Sequence, residues 1–139
     1  MMDSRIAAIQ APGYWAVEIR PGEPFASLVE FLEDDKVTEM SLEGVTGAIV
    51  EVIDPRTGNV IAEAETTLSF DGHGNAISFT FSFPHEQTSR IRDRLFTSQP
   101  NTTAQPQSPF GRIQCRLVDA NNDRYTFLDG EVTLREVGR

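Results

Sequence analysis

The sequence predicts an all-β fold, an antiparallel β-sandwich of seven to eight strands with one Pro-rich loop insertion. Residues 77–83 read Ile-Ser-Phe-Thr-Phe-Ser-Phe, and this alternation of large apolar and small polar side chains is the period of a strand with one buried face. Turn signals separate the predicted strands at intervals typical of a sandwich. The sequence has no internal repeat and no alternation of strand and helix patterns, so a parallel α/β sheet is not expected.

Length and charge indicate one soluble domain over residues 1–139. A chain of 139 residues buries roughly two thirds of its unfolded surface, enough for one core. The net charge of −9, from 12 basic and 21 acidic residues, repels phosphate backbones and anionic membranes, so neither nucleic acid nor a membrane is an expected partner. Because the sequence shows no signal segment and no run of 18 apolar residues, we expect synthesis in the cytosol.

The first half of the chain predicts an N-terminal arm over residues 1–13 and then five strands. The predicted strands are 14–20, 25–32, 48–53, 60–64 and 67–70. The third and fourth form a hairpin, because Pro55 can preset the early turn torsion and Gly58 can take a positive φ at the end of the loop. Glu51, Glu63 and Glu65 are expected to project into solvent along this part of the chain.

The second half predicts three further strands and two irregular segments. After the strand 77–83, the apolar spacing within 86–96 predicts one or two helical turns, and the last two strands are 110–118 and 124–137. Residues 97–109 contain three prolines and no large apolar side chain, so they are expected to form an exposed loop. The apolar register of the last strand shifts at Asp129-Gly130, which predicts a bulge or bend there.

No residue is predicted to be catalytic, cofactor-binding or metal-binding, and the protein is expected not to be an enzyme. Cys115 lies between Ile113 and Leu117 in the sequence and is interpreted as a small core residue. The only candidate bases for it, His73 and His85, lie in a turn and at a strand end. Motifs for a nucleophile elbow, a phosphate-binding loop and zinc binding are missing from the sequence.

Two weaker sites are weighed against plainer interpretations. The segment 71–75, Asp-Gly-His-Gly-Asn, carries possible cation ligands, but the twelfth position from Asp71 is Ser82, which cannot serve as the bidentate ligand of a calcium loop. A turn is therefore favoured.

Tyr14, Trp15 and Tyr125 are candidates for a sugar-stacking platform. However, Trp15 lies on the same strand face as the apolar residues Val17 and Ile19, and core packing explains it equally well.

Taken together, the strands favour an immunoglobulin-like architecture, without the Cys…Trp…Cys pattern of antibody domains. The arrangement resembles the immunoglobulin-like β-sandwich modules of tailed-phage virion proteins, similar to the N-terminal domain of phage baseplate upper proteins and tail-fibre attachment domains. The segments that carry the resemblance are Gly-Glu-Pro-Phe at 22–25, Met-Ser-Leu-Glu-Gly at 40–44, Val-Glu-Val-Ile-Asp-Pro-Arg-Thr-Gly-Asn-Val-Ile at 50–61, the strand 77–83, and 119–134 with its Asp-Ala-Asn-Asn-Asp-Arg-Tyr opening.

The resemblance implies a virion structural protein, synthesised in the host cytoplasm, that acts as a tail or baseplate adaptor or as a fibre-attachment module. Its implied partners are other virion structural proteins, and a homo-oligomer, either a trimer or a symmetric ring, is expected. Residues 1–13 and 97–109 are expected to form the contact surface with those proteins. Two alternatives stay open: a capsid decoration or head-fibre subunit, and a carbohydrate-binding or adhesion module.

Overall fold

The computed structural model describes residues 13–31, 41–99 and 110–135, and within these ranges the chain forms eight β-strands and one α-helix. In chain order the elements are β1 (Gly13–Ile19), β2 (Phe25–Glu30), β3 (Val45–Ile53), β4 (Val60–Glu63), β5 (Glu65–Phe70), β6 (Ala76–Phe83), α1 (His85–Ser98), β7 (Phe110–Asp119) and β8 (Arg124–Leu134). Each predicted strand is present, with ends that differ by a few residues.

The strands form two sheets, one of five strands in the order β1-β8-β7-β3-β4 and one of three in the order β2-β6-β5. β1 pairs with β8 in parallel, and the other described pairs are antiparallel. The larger sheet places β3, β7 and β8 side by side with β4 added at its edge, as in the corresponding sheet of variable-type immunoglobulin domains. The predicted immunoglobulin-like sandwich is therefore confirmed, with β1 and β8 as its parallel exception.

The core lies between the inner faces of the two sheets. Phe79, Phe81 and Phe83 on β6 are at most 1% exposed, because the two-residue period of the strand turns all three toward the larger sheet. On that sheet, Ile113 and Leu117 of β7 are fully buried. The middle strand of each sheet therefore supplies the centre of the core.

Phe81 stands at the centre of an aromatic cluster. Its ring centroid lies 5.5 Å from that of Trp15, 6.0 Å from those of Phe25 and Phe83, and 6.3 Å from that of Phe79. The contacts with Trp15 and Phe83 are edge-to-face, a geometry that aromatic quadrupoles favour. Through Trp15 the cluster joins β1, an edge strand of the five-stranded sheet, to the centre of the opposite sheet.

The helix is longer than the sequence predicted. Instead of one or two turns within 86–96, α1 has 14 residues, which is about four turns. Its buried side chains are Thr88, Ile91 and Leu95. Leu95 packs over Gly111 of β7, where an added Cβ would lie 3.2 Å from a Leu95 methyl carbon. This contact joins residues distant in sequence, so the local apolar pattern underestimates the length of the helix.

The predicted loop 97–109 begins too early, because Thr97 and Ser98 complete α1. Gln99 caps the helix, and its side-chain amide joins the helix end to β7. Its Nε2 donates to the carbonyl oxygen of Phe110 at 2.7 Å, and its Oε1 accepts from the Phe110 amide at 3.2 Å. The structure therefore anchors the start of the predicted loop to the sandwich.

Several predicted segments lie partly outside the described residues. They are residues 100–109 of the loop, 1–12 of the N-terminal arm, residue 32 of the second strand and 136–137 of the last strand. Gly13, predicted to be the end of the arm, is the first residue of β1.

The bulge in β8 lies at Phe127 instead of at the predicted Asp129-Gly130. The pairing of β8 with β7 skips this residue, and the Phe127 ring packs edge-to-face against Phe31 with centroids 5.3 Å apart. The register shift therefore turns an extra aromatic ring into the core, whereas the sequence pattern shows only that a shift occurs.

Gly130 has a different role, since it permits the close approach of β1 to β8. Trp15 is its register partner. A Cβ built on Gly130 would lie 1.8 Å from the Trp15 carbonyl oxygen and 2.4 Å from Cδ1 of the indole. No side chain fits there unless the two strands separate.

One of the three glutamates expected in solvent is largely covered. The Glu51 side chain is 12% exposed and forms an ion pair with Arg116 of the neighbouring strand β7. Because β3 lies between β7 and β4 in the five-stranded sheet, side chains of these neighbouring strands cover its outward face. This explains why Glu51 is less exposed than predicted. Glu63 and Glu65 are exposed as predicted.

Phe79→Ala should lower the free energy of unfolding by roughly 3–5 kcal/mol, because it removes a fully buried ring. Thr80→Ala, at the next and exposed position, should change it by less than about 0.5 kcal/mol. Urea unfolding followed by circular dichroism measures both values. Equal losses would contradict the assignment of the two faces of β6.

Gly130→Ala should destabilise the protein by roughly 1–3 kcal/mol or more, because the new methyl group overlaps the Trp15 backbone. Gly72→Ala is the matched control, since no atom lies within 4 Å of a Cβ built there, and it should be nearly neutral. Thermal unfolding of the two variants compares them directly. A Gly130→Ala variant as stable as the control would show that β1 and β8 are further apart than described.

Candidate functional site

Cys115 is a core residue, as the sequence indicated. Its side chain is fully buried, and desolvation raises the pKa of the thiol to about 12. A thiol with that pKa is almost entirely protonated at neutral pH, whereas a cysteine nucleophile must be a thiolate. The structure therefore gives Cys115 a packing role.

The aromatic candidates for sugar stacking do not form an open platform. Trp15 packs against Phe81, and its indole nitrogen is buried without a hydrogen-bond partner. Tyr125 is half-buried against the core and pairs in register with the buried Leu117. Burial and the nearby carboxylates of β7 and the following turn raise the pKa of this phenol. The side chain of Tyr14 lies outside the described residues.

The segment 71–75 is a tight turn between β5 and β6. The Asp71 carboxylate accepts hydrogen bonds from the backbone amides of His73 at 2.8 Å and Asn75 at 3.0 Å. The hydrogen bond from Asn75 is the largest cause of a lowered Asp71 pKa. One oxygen of the Asp71 carboxylate thus closes the turn. Within residues 13–31, 41–99 and 110–135, no group of three or more His, Cys, Asp or Glu side chains could hold a metal ion.

A strongly charged cavity lies between α1 and the turn that joins β3 to β4. It encloses about 580 Å³. Its lining includes Arg56 from the turn, Arg90 and Arg94 from the helix, and Asp54 as the single acidic residue. Three guanidinium groups against one carboxylate leave a local excess of positive charge in a chain whose net charge is −9. We call it the arginine cleft.

The turn holds Arg56 in place. The Asp54 carboxylate accepts the amide hydrogen of Arg56 at 2.9 Å, and the Asp54 carbonyl accepts from Gly58 at 2.8 Å. Gly58 has a φ of 76°, the left-handed conformation that glycine adopts without strain. The predicted hairpin and the predicted function of Gly58 in its turn are both confirmed.

Arg56 also connects the turn to the end of the helix. Its guanidinium donates a hydrogen bond to the carbonyl oxygen of Ser98, one of the last carbonyls of α1, which have no partner within the helix. The last turn of α1 contains no basic residue of its own, so Arg56 supplies a cation at the negative end of the helix dipole.

Arg90 and Arg94 lie one helical turn apart and face the cleft together. Both are exposed, and neither forms a hydrogen bond or an ion pair with any residue in the described part of the chain. The sequence shows Arg90, Arg92 and Arg94 in alternation, which marks a basic segment. Only the contact between hairpin and helix reveals that two of them share a cavity with Arg56, so sequence reasoning missed this site.

A second surface is a small groove at the open side of the sandwich. β4 pairs only with the last part of β3, so the first part of β3 borders β5, where Thr66 donates a side-chain hydrogen bond to the Ala48 carbonyl at 2.8 Å. The groove encloses about 350 Å³ and is lined by Gly47, Leu68 and Phe70 among others. Phe70 is 48% exposed. We call it the edge groove.

Comparisons with known proteins give no family. No protein-family model matches the chain, and no curated protein matches it. Among solved structures, CopC from Methylosinus trichosporium OB3b is 9% identical, with 94% of this chain and 89% of that chain covered at a TM-score of 0.36. A second solved structure, of parallel homodimers of the extracellular domains of the voltage-gated sodium channel beta4 subunit, is 11% identical. It is matched over 94% of this chain and 91% of that chain, at a TM-score of 0.36. At that TM-score neither likeness supports a conclusion about this chain.

Among the described residues, no helix combines the length and apolar character needed to cross a membrane.

Cys115 should not react with a thiol reagent such as dithionitrobenzoate in the native protein at mildly alkaline pH, because it is buried and protonated. It should react stoichiometrically after denaturation. Absorbance of the released thiolate measures both states. Rapid reaction in the native state would contradict the packing role and reopen the possibility of a nucleophile.

Proposed function

We propose that this protein is a non-enzymatic structural subunit of a tailed-phage virion. It acts in the tail or baseplate as an adaptor or fibre-attachment module, through contacts with other structural proteins. The proposal rests on the resemblance to immunoglobulin-like phage modules carried by segments such as 50–61 and 77–83. Under this proposal the protein is located in the virion and assembles as a trimer or a symmetric ring.

The structural observation that supports the proposal is the edge groove. Phe70 exposes about half of its ring beside Leu68 and the glycine-lined part of β3. Large aromatic side chains that are exposed beside a cavity are typical anchors of protein interfaces, where a few residues supply most of the binding free energy. Phe70 is therefore the residue through which we expect the protein to contact a neighbouring subunit.

The rigidity of the module also suits an assembly role. The aromatic cluster around Phe81 and the two-sheet core hold the edge groove on strands instead of loops, so binding there requires little ordering of the protein. The same surface would serve a capsid decoration or head-fibre subunit, and identification of the partner distinguishes these locations. The two described candidates for sugar stacking, Trp15 and Tyr125, pack against the core, so they give the glycan-binding alternative no specific support.

Mixing the purified protein with the products of the adjacent genes should give a stable complex, measured as mass by light scattering on a sizing column. Phe70→Ser should weaken that complex at least about tenfold, which corresponds to about 1.4 kcal/mol. Phe110→Ser is the matched control, because Phe110 is 46% exposed on the other sheet, and it should leave the complex unchanged.

Two results would contradict the proposal. A wild-type protein that binds none of the neighbouring structural proteins would rule out the virion adaptor. A complex weakened equally by both phenylalanine variants would show that the edge groove is not the specific contact surface.

A further inference from the structure

The described lining of the arginine cleft carries an excess of positive charge. Arg90 and Arg94 have like charges at a spacing that is mutually repulsive on a helix. The carboxylates nearest to Arg90 along the helix have other partners: Glu86 lies 3.0 Å from His85, and Asp93 lies 3.4 Å from Arg92. Among the residues that the structure describes, two cations are thus unpaired, although acidic residues outnumber basic ones by 21 to 12 in the sequence.

The residues that line the cleft beside the arginines limit the type of anion that fits. Asp54 is 7% exposed and its carboxylate accepts a hydrogen bond within the turn, and the three guanidinium groups of the lining outweigh its single negative charge. Val60 is 51% exposed at the cleft and supplies an apolar contact beside the guanidinium groups. A volume of about 580 Å³ is in the range of cavities that hold several side chains or a small ligand.

We propose that the arginine cleft binds the carboxylates of a short acidic peptide segment of a partner protein. Guanidinium groups pair with carboxylates through two parallel hydrogen bonds, and Arg90 and Arg94, on one face of the helix, can receive two acidic side chains that project from the same side of the bound segment. A long polyanion such as a nucleic acid is disfavoured, because beyond the cleft it would meet a chain with a net charge of −9. Val60 contacts the aliphatic part of the bound segment.

This inference goes beyond the proposed function, because it concerns another surface and a defined ligand chemistry. The edge groove and the arginine cleft lie on opposite parts of β3, with Gly47 bordering the first and Asp54 following the end of the strand at the second. Loss of binding at the edge groove therefore does not imply loss of binding at the arginine cleft, or the reverse.

The test uses the full chain and a fluorescein-labelled hexaglutamate peptide, with binding followed by fluorescence anisotropy at low and at physiological ionic strength. Hexaglutamine is the neutral control peptide. The wild-type protein should bind hexaglutamate and not hexaglutamine. The double variant Arg90→Gln/Arg94→Gln should bind at least about tenfold more weakly. Arg56 is left intact in these variants because it holds the end of the helix.

Arg92→Gln is the matched control on the protein side. It removes a positive charge from the same helix, but Arg92 pairs with Asp93 and stacks on Phe96, 5.5 Å from the ring centroid, and does not line the cleft. It should retain wild-type affinity for the peptide. Thermal unfolding of the double variant should be unchanged, since Arg90 and Arg94 are exposed, and this separates lost binding from lost folding.

Three results would overturn the inference. Equal weakening by Arg92→Gln and by the double variant would show general charge attraction without a site. Unchanged binding by the double variant would place the peptide elsewhere. Displacement of hexaglutamate by inorganic phosphate at the same concentration would show a site for small oxyanions instead of an acidic peptide.

Discussion

The structure depends most on the row of phenylalanines along β6. Because β6 is the middle strand of the three-stranded sheet, Phe79, Phe81 and Phe83 are the side chains through which that sheet is held against the other. Burial of apolar area is the main favourable contribution to folding, and these rings supply much of it in a small domain. Both proposed binding surfaces lie on strands and a helix that this core positions.

The connection from β6 to β7 distinguishes this sandwich from a plain one. Here the chain forms α1. The helix packs over Gly111 through Leu95, the Ser98 carbonyl at its end accepts a hydrogen bond from Arg56, and Gln99 caps it. One consequence is the arginine cleft, which exists only because the hairpin turn and the helix approach each other. The edge groove likewise depends on the strand arrangement. Because β4 pairs only with the last part of β3, the first part of β3 lies beside β5.

The sequence was informative where local chemistry determines structure. Strict alternation identified β6, Pro55 and Gly58 identified the hairpin turn, and the apolar neighbours of Cys115 placed it in the core. It was uninformative where distant residues determine the outcome. The length of α1 depends on Gly111, the bulge at Phe127 depends on Phe31, and the exposure of Glu51 depends on Arg116. The arginine cleft belongs to the same class, because its residues come from two segments that are distant in the sequence, the hairpin turn and the helix.

The most direct test of this account is a nuclear Overhauser spectrum of the native protein in the aromatic region. The account predicts cross-peaks between the Trp15 indole and the Phe81 ring, whose centroids are 5.5 Å apart, together with cross-peaks between the backbones of Trp15 and Gly130. These would establish that the two sheets pack as described and that β1 lies beside β8. If Trp15 showed contacts to neither Phe81 nor Gly130, the packing on which both proposed surfaces depend would be wrong.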